Sequence, residues 1–277
     1  IDVGAGTQDI LLHDDNKTVE NCVKLVLPSR TTIVAGQIAR ATQQGQPVFL
    51  TGNLMGGGPM TSAARKHLRA GLPLYATPLA AKSIHDNVDV VRALGVHIVD
   101  SPPEEAVAIM TGDIDVVSLE QALSLFNVPL PSRCAIAVQD HGESGEMSQR
   151  RFRFKHWEDF VAAGGEIHEL AYRDEVPAYL TRMLAVRADV PDALLMDTCA
   201  AAVVGALCDE QVSAHGSEGL VIVNIGNQHT LGVLVQAGRI WGVFEHHTGL
   251  VDGAKLRLLV DRLKDGTIDN DEVYNDQ

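Results

Sequence analysis

Apolar residues recur along this chain with two spacings, every second position and every third or fourth. Residues 1–12 are apolar at both ends with a glycine-rich bend between, which predicts a strand, a turn and a second strand. Residues 22–27 alternate as a half-buried strand does, residues 31–44 have helical spacing, and residues 47–50 read as a short buried strand. A helix over 61–70, a strand over 72–76, a helix over 88–95, and strands over 97–100 and 114–117 follow. A helix over 119–126 and a strand over 134–138 close this stretch. Strands alternating with helices of this length predict an α/β layer architecture.

Residues 143–190 are more polar and helical, with 157–163 and 176–186 as the clearest helices. Beyond them come a strand over 194–196, a helix over 197–209, and three consecutive strands over 219–225, 230–236 and 239–245. A helix over 250–264 precedes an acidic tail. At 277 residues the chain is long enough for two domains. The expected division is a first α/β domain over 1–142, a bridging or inserted helical segment over 143–192, and a second α/β domain over 193–277.

Charge narrows the partners. The 22 basic and 36 acidic residues leave a formal charge of −14. Such a surface repels phosphate backbones and anionic lipid, so neither a nucleic acid nor a membrane is expected. The local basic cluster Arg150, Arg151, Arg153 and Lys155 has Phe152, Phe154 and Trp157 as neighbours and reads as an ordinary strand and helix start. The longest apolar run, 193–207, is interrupted by Asp197 and Thr198 and falls short of the roughly 18 residues of a membrane span. Cys22, Cys134, Cys199 and Cys208 form no CxxC spacing. That excludes a local zinc knuckle or iron–sulfur loop and predicts a cytoplasmic protein with four buried thiols. The sequence begins at Ile1 without Met, so removal of an upstream piece is expected. The oligomeric state is left open.

One long-range echo carries the chemistry. Ile1-Asp2-Val3-Gly4-Ala5-Gly6-Thr7-Gln8-Asp9-Ile10 is matched much later by Val223-Asn224-Ile225-Gly226-Asn227-Gln228-His229-Thr230-Leu231. Each has an apolar strand, a polar residue, a glycine, a short polar turn with Thr, and a second apolar strand. A turn of this kind can bring backbone N–H groups and a hydroxyl against an anion. A carboxylate before it would face a hydrated Mg2+ ion. Either segment alone reads equally as a plain β-hairpin.

The first segment resembles the phosphate-1 loop of the actin, sugar and acetate kinase and Hsp70 superfamily, the actin-like ATPases, and the second resembles its phosphate-2 loop. Within that superfamily the chain resembles a bacterial and archaeal family labelled "pyruvate formate-lyase activating enzyme-like". That resemblance extends to Gln139-Asp140-His141-Gly142 and Asp197-Thr198-Cys199-Ala200-Ala201. True activating enzymes of that label are similar to radical SAM proteins and need three closely spaced cysteines, which the spacings here do not supply.

The superfamily resemblance implies two ribonuclease H-like α/β domains facing across a cleft, the second of them incomplete, with ATP and Mg2+ as ligands. It implies that Asp2, Asp140 and Asp197 act as catalytic carboxylates. Gly4, Gly6, Thr7 and Gln8 from one side, and Gly226, Asn227 and Thr230 from the other, would contact phosphates. Asp2 and Asn224 would face the metal. The phosphate-2 position usually holds Asp, and Asn224 removes one charge there. No glycine-rich adenosine loop is recognisable, and the chain ends about where the last βα units of the second domain should begin.

Other constellations have two readings each. One of the adjacent His246 and His247 could join Asp140, His141 or His229 in a metal site or simply bond to backbone, and His141, His229 and His247 all fall at strand ends or turns. His247 is the histidine candidate for a metal. The run Gly56-Gly57-Gly58 between a strand and a helix reads as a substrate loop or as a plain tight turn. Asp197 is a helix N-cap whether or not it is catalytic. Arg182 could neutralise an anion or lie on the surface. Three functions follow: a Mg2+-dependent ATPase or phosphotransferase acting on a small metabolite, a binding module for a nucleotide, phosphorylated small molecule or metal, and a His/Asp metal hydrolase.

Overall fold

A computed structural model describes residues 1–143 and 148–276. Residues 144–147, part of the expected bridging segment, and Gln277 of the tail lie outside the described residues. The chain runs β1 (Asp2–Val3), β2 (Thr7–Leu12), β3 (Val23–Pro28), α1 (Arg30–Gln43), β4 (Val48–Gly52), α2 (Gly58–Arg69) and β5 (Leu74–Ala76). Then come α3 (Pro78–Ala81), α4 (Val88–Ala93), β6 (His97–Ile98), β7 (Val107–Thr111), α5 (Val116–Ser124) and β8 (Ala135–Val138). The remainder is α6 (Gln149–Ala162), α7 (Thr181–Asp189), β9 (Leu194–Met196), α8 (Thr198–Leu207), α9 (Glu210–Ser213), β10 (Leu220–Ile225), β11 (His229–Gln236), β12 (Arg239–His247), α10 (Gly253–Lys264) and α11 (Asn270–Asn275). This is a mixed α/β protein. It divides into two compact units, Ile1–Val138 with Thr181–Leu194, and Gln139–Leu180 with Leu195–Gln277.

Unit 1 holds two sheets. In one, β1 pairs antiparallel with β2 and parallel with β8, and β2 pairs antiparallel with β3. Leu194, the first residue of β9, donates its N–H to Cys134 beside β8. The other sheet has the order β6-β5-β4-β7, with every pair parallel. Its central strand β4 begins with the buried run Val48-Phe49-Leu50, as a parallel strand covered on both faces requires. Val34, Ile38 and Ala41 of α1 and Met60 and Ala64 of α2, at helical spacing, join Leu50 and Leu74 in one core. Each such large side chain contributes about 1.5–3 kcal/mol by leaving water. His67 of α2 lies within that core with both ring nitrogens used, on Thr42 Oγ1 at 2.8 Å and the Pro73 carbonyl at 3.0 Å. It is therefore a structural histidine.

The glycine run between β4 and α2 is a packed turn. A Cβ at Gly56 would stand 2.6 Å from Arg182 Nη2, and one at Gly57 would stand 2.6 Å from Thr61 Oγ1. Arg182 is not a surface arginine. Its Nε and Nη2 close on the buried Asp113 carboxylate at 2.7 and 2.9 Å.

Unit 2 is built on the antiparallel meander β10-β11-β12. Leu231, Val233 and Val235 of β11 face Cys199, Ala200 and Val203 of α8 and Trp157 of α6. Phe244, Leu259, Leu263, Phe154 and Val273 form a second core, drawn from β12, α10, α6 and α11.

Several expectations are corrected. Residues 114–117 are not a strand. Asp115 accepts a hydrogen bond from Ser118 N–H and so starts α5, while the strand beside β4 is β7. The basic cluster is not a strand-to-helix junction but lies wholly within α6. The acidic tail contains α11, capped by Asp269 and anchored by the buried Val273. Only Cys22 and Cys199 are buried; Cys134 is half-buried and Cys208 is exposed.

Candidate functional site

Each unit carries a hairpin closed by the same bonds. Gly4 N–H donates to the Thr7 carbonyl at 2.9 Å, and Gly226 N–H donates to the His229 carbonyl at 2.9 Å. A Cβ at Gly4 would stand 3.0 Å from Thr7 O, and one at Gly226 would stand 3.0 Å from His229 O, so the close approach favours glycine at both. The registers correspond as well. Asp2 faces Asp9 in one hairpin, and Asn224 faces Leu231 in the other.

The residue after the third strand then ties each turn down. Ser29 N–H donates to the Gly6 carbonyl at 3.0 Å, and Thr248 N–H donates to the Gln228 carbonyl at 3.0 Å. Their hydroxyls add bonds to the Ala5 carbonyl at 3.0 Å and the Gly226 carbonyl at 2.7 Å. In a trans peptide the C=O and the following N–H point opposite ways. Drawing these carbonyls toward Ser29 and Thr248 therefore turns the N–H groups of Gly6 and Thr7, and of Asn227 and His229, the other way. Gly6 and Thr7 are exposed, and a Cβ placed on Gly6 would meet no atom within 4 Å.

The two turns differ in their side chains. Thr7 Oγ1 donates to Asp9 Oδ2 at 3.2 Å. The register places His229, and not Thr230, at the position of Thr7. Thr230 is buried and its hydroxyl pairs with Thr248 Oγ1 at 3.0 Å. Gln8, at the corresponding position of the first hairpin, is also buried and donates from Nε2 to the Pro28 carbonyl at 3.1 Å.

Beside the second turn, still within unit 2, lies a buried charged network. The Arg153 side chain is 3% exposed. Its Nη1 and Nη2 reach Asp197 Oδ2 and Oδ1 at 2.9 and 3.0 Å, and its Nε reaches Glu245 Oε2 at 2.6 Å. Glu245 Oε1 faces His229 Nδ1 at 3.0 Å and accepts from Gln139 Nε2 at 3.2 Å. The His229 ring lies between those of His141 and His247, with centroids 5.5 and 5.1 Å away. One ligand atom from each of His141, His229 and Glu245 lies within 4.8 Å of the others. A cavity of about 120 Å³ borders these three residues together with Arg150, Arg153 and His247.

Electrostatics sets the charge states here. Burial, reinforced by Arg153, lowers His141 to about 4, so its imidazole is neutral at physiological pH. Burial alone would raise Glu245, but Arg153 and the His229 bond outweigh it and hold the carboxyl well below the usual range. Arg153 is likewise pushed down by burial and more than restored by Asp197 and Glu245. Burial and the neighbouring His229 lower His247.

The sequence-derived candidates are distributed as follows. Asp2, Gly4, Gly6, Thr7 and Gln8 lie in unit 1, and the others lie in unit 2. Asp140 and Asp197 are brought together: Asp140 N–H donates to Asp197 Oδ2 at 3.1 Å, and Arg153 Nη1 reaches the Asp140 carbonyl at 2.9 Å. Asp197 also caps α8 through Cys199 N–H at 2.9 Å. Asn224 Oδ1 lies over its own turn, 3.7 Å from where a Gly226 Cβ would be. His247 is exposed beside His229. Sequence reasoning missed Arg153. The available signal was its helical spacing to Trp157, which puts an arginine on the apolar face of α6.

Residues 55–277 match the model of the family described as "Putative pyruvate format-lyase activating enzyme (DUF1786)", and the chain belongs to that family. No curated protein and no solved structure matches the chain.

Proposed function

We propose that this member of the pyruvate format-lyase activating enzyme-like family carries an actin-like fold and binds a nucleotide or phosphorylated small molecule with Mg2+ at its hairpin turns. The observation that carries this reading is the duplicated turn. In both units a Gly N–H closes the hairpin, and the residue after the third strand draws the turn carbonyls to itself at the same 3.0 Å. A pair of N–H groups facing away from those carbonyls is a nest for phosphate oxygens. The pairing of unit 1, an antiparallel β1-β2-β3 meander with β8 parallel to β1, also suits a ribonuclease H-like half.

The residues of the first turn fit Mg2+. Asp2 and Asp9 face each other across two strands, which sets two carboxylates, the oxygen ligands that Mg2+ prefers, beside the turn. When bound, Mg2+ would neutralise phosphate charge; Thr7 and the Gly6 and Thr7 N–H groups would orient the terminal phosphate. The second turn has Asn224 opposite Leu231, with no carboxylate at the matching place. That asymmetry favours a second reading, in which the ligand is held without turnover. True activating enzymes of the kind in the family's description are similar to radical SAM proteins, which need three closely spaced cysteines. Each unit has two.

Thermal unfolding with ATP, ADP, GTP and acyl or sugar phosphates, with and without Mg2+, tests the proposal. A ligand at about 100 times its Kd adds roughly 2.7 kcal/mol, read as a shift of several degrees. The expected result is a Mg2+-dependent shift that Asp2→Ala and Thr7→Ala each remove. Absence of a shift with every ligand would reject phosphate binding. Phosphate release during incubation separates an ATPase from a binding module.

A further inference from the structure

We propose that the side chains of His141, His229 and Glu245 form a binding site for one divalent transition-metal ion in unit 2, a site that does not need a phosphate ligand at the hairpin turns. The ligand set comes from three different elements: the loop after β8, the first residue of β11, and β12. Convergence of this kind is unlike neighbouring surface histidines on one helix. One donor atom from each residue already lies within 4.8 Å of the other two. A tetrahedral ion with bonds of about 2.0–2.2 Å needs donor atoms roughly 3.3–3.6 Å apart, so modest side-chain rotation closes the set.

Two further observations point to a cation. Glu245 is 4% exposed at its side chain and is fixed from its other oxygen by Arg153 at 2.6 Å, which orients the carboxylate toward the histidines. Outer-shell partners that orient a ligand in this way are a feature of metal sites. The three donors also border a cavity of about 120 Å³. Three protein ligands beside open space describe a site with room for an exchangeable fourth ligand, the arrangement of a reactive rather than a purely structural ion. Two imidazoles and one carboxylate suit Zn2+ or Fe2+ and suit Mg2+ poorly, because Mg2+ prefers oxygen ligands. Charge balance agrees. Arg153 carries one positive charge against the carboxylates of Asp197 and Glu245 that pair with it, and a divalent ion reverses that local excess.

The test uses the full chain, stripped with a chelator and then titrated with ZnCl2 calorimetrically and with CoCl2 by visible absorption. The expected result is about one ion per chain and a cobalt spectrum with the intense bands of low coordination. His141→Ala and His229→Ala should each weaken zinc binding by more than about 100-fold, the upper end of the loss on removing an outer-shell partner. His215→Ala, at an exposed histidine of the same unit, should leave it unchanged. If His229→Ala fails to fold, His229→Gln keeps an amide donor toward Glu245 and serves in its place. No saturable zinc binding would overturn the proposal. So would binding that survives both histidine variants, or that His215→Ala weakens equally.

Discussion

Replacing Arg153 with leucine should cost about 3–5 kcal/mol of folding stability, the loss expected when one partner of a buried ion pair is removed. The guanidinium is buried and satisfies two carboxylates and a backbone carbonyl at once: Asp197, Glu245 and Asp140 O. Leucine cannot replace any of these bonds. Asp197 and Glu245 would remain in the interior without the guanidinium that both contact, and an uncompensated buried charge is far more costly than the original pair was stabilising. The neighbouring Arg151, on the exposed side of α6, is the control. Its pair with Asp271 is solvent-exposed, and exposed pairs of this kind contribute little. Urea unfolding of Arg153→Leu and Arg151→Leu, followed by Trp157 fluorescence, reads the difference directly. Trp157 lies in the same core, 5.6 Å from the Arg153 guanidinium, so its emission reports on this region. Equal effects of the two substitutions would mean that the network is not what holds α6, α8 and β12 together.

Gly6→Val should have the opposite signature, intact stability and lost ligand binding. A Cβ at Gly6 would meet nothing within 4 Å, and its φ is outside the left-handed region, so valine fits the unliganded turn. Surface substitutions of this kind usually stay within about 0.5 kcal/mol. The branched side chain would nevertheless stand beside the Gly6 and Thr7 N–H groups, where the phosphate oxygens are proposed to bind. The stabilisation of roughly 2.7 kcal/mol expected from a ligand at a hundred times its Kd should then vanish. Gly4→Val is not a substitute, because its Cβ already crowds Thr7 O at 3.0 Å and would disturb the hairpin itself. A Gly6→Val chain that keeps the full ligand shift would remove the first turn from the binding site.

Much of the fold was legible because its signals are local. The buried run Val48-Phe49-Leu50, the helical spacing of Val34, Ile38 and Ala41, and the three strands from 220 to 247 each declare themselves within a few residues. The failures came where a local signal competed with a tertiary one. Ile114, Val116 and Val117 are as apolar as a strand, but Asp115 caps a helix there and β7 occupies the place beside β4. The short helix α11 has an acidic, tail-like composition and owes its place to Val273 and to Arg150, which bonds the Val273 and Tyr274 carbonyls. At the site, the hairpins were visible as a sequence echo, yet the echo aligned Thr with Thr. Only the strand register shows that His229 takes the position of Thr7, because side-chain identity cannot reveal which residue closes a turn. Arg153 was hidden for a related reason. A basic residue among other basic residues looks solvated until its partners, 44 and 92 positions away, are known.

If the turn N–H groups form a phosphate nest, titration with Mg2+ and the best ligand should perturb their amide chemical shifts. The Gly6, Thr7, Asn227 and His229 amides should shift earliest and furthest, with saturation at the affinity measured by thermal unfolding. Saturable binding that leaves these four amides unmoved and shifts others instead would contradict it.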